Sequence, residues 1–114
     1  MLNPENQDDM DFLMLSLRVD NNDDELLLKK MLATAIDFLI GKIGIDDGLF
    51  YESNNIFDTA TIFMTDHLYR TRSATVDNIT IINVPLNVNT MILDLKASYK
   101  ANQNKKAGDY SGNN

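Results

Sequence analysis

The sequence predicts a mainly α fold: a small bundle of about four helices with a long antiparallel central pair, one extended β segment at about residues 79–84, and a flexible polar C-terminal tail. Three observations predict it. Apolar residues recur at helical spacing along several stretches of the chain. One short run, Ile79-Thr80-Ile81-Ile82-Asn83-Val84, is rich in β-branched residues and is stopped by Pro85. From Ala101 to Asn114 there is no Leu, Ile, Val, Met or Phe, so that stretch has nothing to bury against its ordering entropy. The chain of 114 residues suits one core, placed at 1–100, with the tail at 101–114.

Each element has its own reason. Phe12, Leu13 and Leu17 are apolar residues of a first helix from about Asp9 to Leu17, with Asp8 or Asp9 as N-cap. Arg18-Val19-Asp20-Asn21-Asn22 breaks it, and Asp23, Asp24 and Glu25 open a second helix where the macrodipole favours acids. That helix runs from about Asp24 to Ile43, and Gly44 is expected to end it in the left-handed conformation. Leu27, Leu28, Met31, Leu32, Ala35, Ile36, Phe38, Leu39 and Ile43 already cover about half of its circumference. Leu26, Ala33 and Ile40, seven apart, add another apolar line, more than one internal partner can bury.

A loop with a turn at Asp46-Asp47-Gly48 and an apolar clip at Leu49-Phe50-Tyr51 leads to a third helix, Ile56 to Arg72, capped by Asn54 or Asn55. Ile56, Phe57, Ala60, Phe63, Met64 and Leu68 form its expected inner face, while Ile62 and Tyr69 lie to one side. After the extended segment, Val88 to Tyr99 reads as a last helix with Val88, Met91, Ile92 and Leu95 inward.

Composition narrows function. Seventeen Asp and Glu against ten Lys and Arg leave a net charge of −7, the wrong sign for a clamp on nucleic acid or an anionic membrane. Without cysteine there is no disulfide framework, thiolate metal site or cysteine nucleophile. The first twenty residues hold Glu5, Asp8, Asp9 and Asp11 with no base before Arg18, the reverse of a signal peptide, so an intracellular site of synthesis is expected. Asp20, Asn22 and Asp24 start like a calcium loop, yet Glu25 stands at its glycine position and Met31 at its bidentate acid. His67 is the single histidine and is expected as a core residue rather than a base or ligand. No phosphate loop, dinucleotide fingerprint or hydrolase motif occurs. The expectation is no enzyme, no metal and no cofactor.

Three stretches together are similar to one known family. They are Phe12-Leu13-Met14-Leu15-Ser16-Leu17-Arg18-Val19-Asp20 with the acidic run behind it, His67-Leu68-Tyr69-Arg70-Thr71-Arg72, and Asn83-Val84-Pro85-Leu86-Asn87-Val88 leading into Leu93-Asp94-Leu95-Lys96. In order and spacing they resemble the head–tail connector (adaptor, or head-completion) family of long-tailed bacteriophages. Arg18, Asp20, His67, Arg72 and Pro85 are the structural motif positions carried over. The chain departs from the family at Asn87, where glycine is usual, and at Asp94, where proline is common.

The resemblance implies a virion protein of the neck, a ring of identical subunits, commonly a dodecamer. Such a ring docks below the portal protein, extends the DNA channel without specific DNA binding, and receives the head-closure (stopper) or tail-completion protein. On that expectation Leu26, Ala33, Ile40, Ile62 and Tyr69 meet the adjacent subunit. Ile79, Ile81, Val84, Lys105, Lys106 and Tyr110 meet the portal or closure protein. Two alternatives are an acidic inhibitor imitating DNA and a helical adaptor for a host factor. Against the first, Asp8, Asp9, Asp23, Asp24, Asp46 and Asp47 cluster at helix starts and loops, where capping accounts for them.

Overall fold

The structure, a computed structural model, describes residues 1–20, 22–71 and 84–111, with side chains to residue 107. Four helices follow one another: α1 (Gln7–Leu17), α2 (Glu25–Ile43), α3 (Asn55–Thr71) and α4 (Leu86–Ser111). Short 3₁₀ turns at Asn22–Asp24 and Gly48–Tyr51 lie between them. The molecule measures 57 × 31 × 20 Å, elongated because α4 alone spans about 39 Å.

Helix α1 starts two residues earlier than the acids suggest. Asn6, not Asp8 or Asp9, is its cap, accepting the Asp9 amide at 3.0 Å. Its other end closes on Arg18 in the left-handed region (φ 58°), whose amide bonds to Leu15 O while that of Val19 bonds to Met14 O. Met10, Leu13, Met14 and Leu17 fill the inner face.

Helices α2 and α3 are the antiparallel pair. The Tyr69 hydroxyl near the end of α3 donates to the Asp24 carboxylate at the start of α2. Arg70 Nη2 donates to Leu17 O at 2.9 Å, satisfying a terminal carbonyl of α1. Leu28, Leu32, Ala35, Ile36, Leu39 and Ile43 are the buried side of α2. Asn54 caps α3 through Oδ1 to the Phe57 amide at 3.0 Å.

The inner face of α3 is rotated from the expected one. Phe57, Ala60 and Met64 are buried, together with Thr61 and Thr65, whereas Ile56 and Phe63 are exposed. The threonines enter the core because their hydroxyls donate to carbonyls one turn back, Phe57 O at 2.8 Å and Thr61 O at 2.7 Å. A hydroxyl satisfied on its own helix leaves a methyl to pack, so the residue behaves as an apolar one.

Two further corrections concern α2 and α4. Gly44 is not left-handed: it sits at φ 163°, ψ 134°, extended backbone open to any residue. Its lack of a side chain matters for space, since a Cβ there would come within 2.3 Å of the Tyr99 ring carbons. Nor does α4 end at Tyr99. It continues to Ser111, through the stretch expected to be a disordered tail. Ala, Lys, Gln and Asn tolerate helix well enough, and three of them find a tertiary anchor described below. Val88, Ile92 and Leu95 are buried as the spacing predicts, Met91 is half-buried against the core, and Tyr99 joins the buried line. The extended segment falls on residues 79–84; all but Val84 lie outside the described residues, and Val84 is half-buried outside any helix or strand.

Candidate functional site

No metal-binding group of three or more His, Cys, Asp or Glu side chains exists among the described residues, and none of their helices is long and apolar enough to cross a membrane. Three surfaces carry the residues singled out by the sequence, and they are built by the helices that carry them.

The first surface is the outer line of α2. Leu26 is 71% exposed, Ala33 is exposed and Ile40 is half-buried against the core. Seven-residue spacing keeps the three on one side of the helix, opposite Leu28, Leu32 and Leu39. Ala33 also borders an open cleft of about 490 Å³, with Ile36, Asp37, Glu52 and the segment Met1–Pro4 around it. Ile62 and Tyr69 do not join this line as freely exposed residues. Both are half-buried against the core, and the Tyr69 hydroxyl is taken by Asp24.

The second is the corner after α1. Arg18 and Asp20 border an open cleft of about 520 Å³ with Asp11, Met14, Leu15, Val19 and Asn22. His67 is half-buried beside Met64 and Leu68 in the chain rather than at the centre of the core. Arg72 lies outside the described residues, and the neighbouring Arg70 makes the contact to α1. Pro85 precedes α4 and its carbonyl accepts the Asn89 amide at 2.9 Å.

The third is the far end of α4. One carboxylate oxygen of Asp47 receives Lys106 Nζ at 2.5 Å, Gln103 Nε2 at 3.0 Å and Asn102 Nδ2 at 3.4 Å. Lys106, contributing most, and Gln103 hold the Asp47 carboxyl below the usual aspartate range. Asp47 is thus an anchor and not the solvated turn residue that its Asp-Asp-Gly context suggests. Beside it, the Asp46 amide donates to the Tyr99 hydroxyl at 2.9 Å, and the Tyr51 hydroxyl donates to Gly44 O at 2.5 Å. Burial pushes the Tyr51 phenol up to about 12. Phe50, Tyr51, Phe57 and Tyr99 pack edge-on and tilted around this corner.

Of the residues expected to meet a portal or closure protein, Lys105 is exposed, Lys106 is paired with Asp47, and Val84 is half-buried. Ile79, Ile81 and the Tyr110 side chain lie outside the described residues. The anchor at Asp47 was missed by sequence reading. Its signal was the spacing of Asn102, Gln103 and Lys106, which share one helical face only if the helix passes Tyr99.

Comparison with protein-family models, with curated proteins and with solved structures finds no match to this chain.

Proposed function

We propose that this chain is a structural subunit of a ring adaptor in the neck of a long-tailed bacteriophage, docked below the portal protein and receiving the closure protein or tail. The observation that carries the reading is the uncovered N-terminal part of the outer line of α2, where Leu26 stands 71% exposed and Ala33, two turns on, is exposed. A helix apolar on two sides suits a subunit covered by its neighbours. The three stretches named above supply the family likeness, and the surplus of acids suits a channel wall along which DNA slides without sticking. A DNA-imitating inhibitor has less support: Asp24, Asp47 and Asp66 are each engaged by Tyr69, Lys106 and Arg70 of the same chain.

The test is direct. The purified chain, mixed with the portal protein of the same genome, should add a ring of density beneath it in negative-stain images. Leu26→Asp with Ala33→Glu places two charges on exposed positions, so the variant should fold by circular dichroism and lose docking. Docking by the variant as strong as that of the parent chain would sink the interface assignment.

A further inference from the structure

The outer faces of α1 and α4 are complementary to each other and cannot meet within one copy. Asp8, Asp11, Phe12 and Leu15 share the outer side of α1, where Phe12 is 53% and Leu15 76% exposed. On α4, Leu86, Leu93 and Lys100 lie seven apart along one line, with Lys96 one turn before Lys100. Leu86 is 82% and Leu93 66% exposed, and both lysines are exposed. Each helix packs its other side on α2 and α3, so these faces point away from their own bundle.

We propose that a second copy of this chain is the occupant, α4 of one copy lying antiparallel against α1 of the next. Asp8 to Leu15 and Leu93 to Lys100 are both seven-residue spans, about 10 Å along a helix axis. Placed antiparallel, Leu15 meets Leu93, Lys96 lies over Phe12 beside Asp11, and Lys100 reaches Asp8. Apolar ends then cover each other while opposite charges pair, and a lysine above an aromatic ring adds a cation–π contact. The wider charge distribution points the same way. Residues 1–25 hold eight acids and one base, whereas residues 96–106 hold four lysines and no acid. Like faces repel and unlike faces attract, which selects α1-on-α4 over α1-on-α1 or α4-on-α4.

The contact is heterologous, leaving one α1 and one α4 face open at the ends, so copies add in a row that ends when the rotation between them closes a ring. Each contact is small and weak alone and is strengthened on closure. The inference rests on the ring reading and adds to the α2 line a second lateral contact, α1 against α4; it does not depend on a portal protein.

The chain has no cysteine, so a single engineered pair reports cleanly. Leu15→Cys with Leu93→Cys, oxidised at low ionic strength, should yield a ladder of covalent dimers, trimers and larger species on a non-reducing gel. Either single variant should stop at dimers. A double variant giving only monomers, or only what the single variants give, overturns the proposal. In the same background, Asp8→Lys with Asp11→Lys and, separately, Lys96→Glu with Lys100→Glu should each cut the ladder at least tenfold, and an equal mixture should restore it. Circular dichroism establishes that each variant folds. Ladders unchanged by charge reversal, or a mixture that fails to recover, refute the pairing. Docking to portal without any ladder overturns this contact alone, whereas a normal ladder without portal docking overturns only the adaptor reading.

Discussion

Replacing Gly44 with alanine isolates a purely steric requirement. At φ 163° and ψ 134° the backbone suits any residue, so alanine brings no conformational penalty of its own. What it brings is a methyl group 2.3 Å from the nearest carbon of the Tyr99 ring, far inside contact distance. The ring must leave, and with it goes packing on Phe50 (ring centroids 5.1 Å apart) and Tyr51, together with the hydrogen bond from the Asp46 amide. Truncating a buried aromatic costs about 3–5 kcal/mol, and partial displacement falls near the lower end, about 3 kcal/mol for Gly44→Ala. With a urea slope of about 1.5 kcal/mol/M, the unfolding midpoint should drop by about 2 M.

A double-mutant cycle makes the mechanism falsifiable. Tyr99→Ala alone should cost about 3–5 kcal/mol. In that background the methyl meets open space, and Gly44→Ala should turn neutral or stabilise by about 0.4–1 kcal/mol through the unfolded chain. The coupling between the two sites is then about 3 kcal/mol, far above what independent sites show. Tyr99→Phe, which keeps the ring and loses the hydroxyl, should cost only about 1 kcal/mol. Additive costs for the first two substitutions, read by far-ultraviolet circular dichroism in urea, would refute the reasoning.

Other outcomes follow from the same corner. Asp47→Ala should speed amide exchange across residues 100–107 while leaving the Leu95 amide protected, because Asn102, Gln103 and Lys106 all lose one acceptor. Since the folded Asp47 carboxyl is held below its ordinary 3.8, its contribution is complete above that pH and fades as pH falls through the lower folded value; exchange measured in acid should show the helix end loosening first. Tyr51, raised to about 12, is favoured neutral in the fold, so its contribution is complete below pH 10 and lost as pH climbs through about 12. Phenolate ultraviolet absorbance should therefore contain a late component, in step with unfolding, that Tyr51→Phe removes.

The helical architecture was legible because long stretches repeat apolar residues near 3.6, and α2 kept its expected boundaries within one residue. The inner line Val88, Ile92 and Leu95 of α4 was legible for the same reason. Hydropathy misread α3, where Thr61 and Thr65 bury by bonding their own backbone while Ile56 and Phe63 stay outside. It also misread residues 101–111, since a polar stretch carries no periodicity to announce a helix that its upstream turns propagate. Gly44 was recognised as special for the wrong cause: φ cannot be read from a glycine, and its neighbour Tyr99 lies fifty-five residues away. On the surfaces, the α2 line was visible from spacing alone, whereas the half-burial of Ile62 and Tyr69 follows from how α3 turns on its axis.

The meeting of Tyr99 with Gly44 and Asp46 has a mechanical side. An aromatic stave wedged into the bend between α2 and α3 and, seven residues on, the Lys106–Asp47 pair clip α4 to that bend at two points about 10 Å apart. Two clips hold the direction of a rod where one would leave it free to swivel.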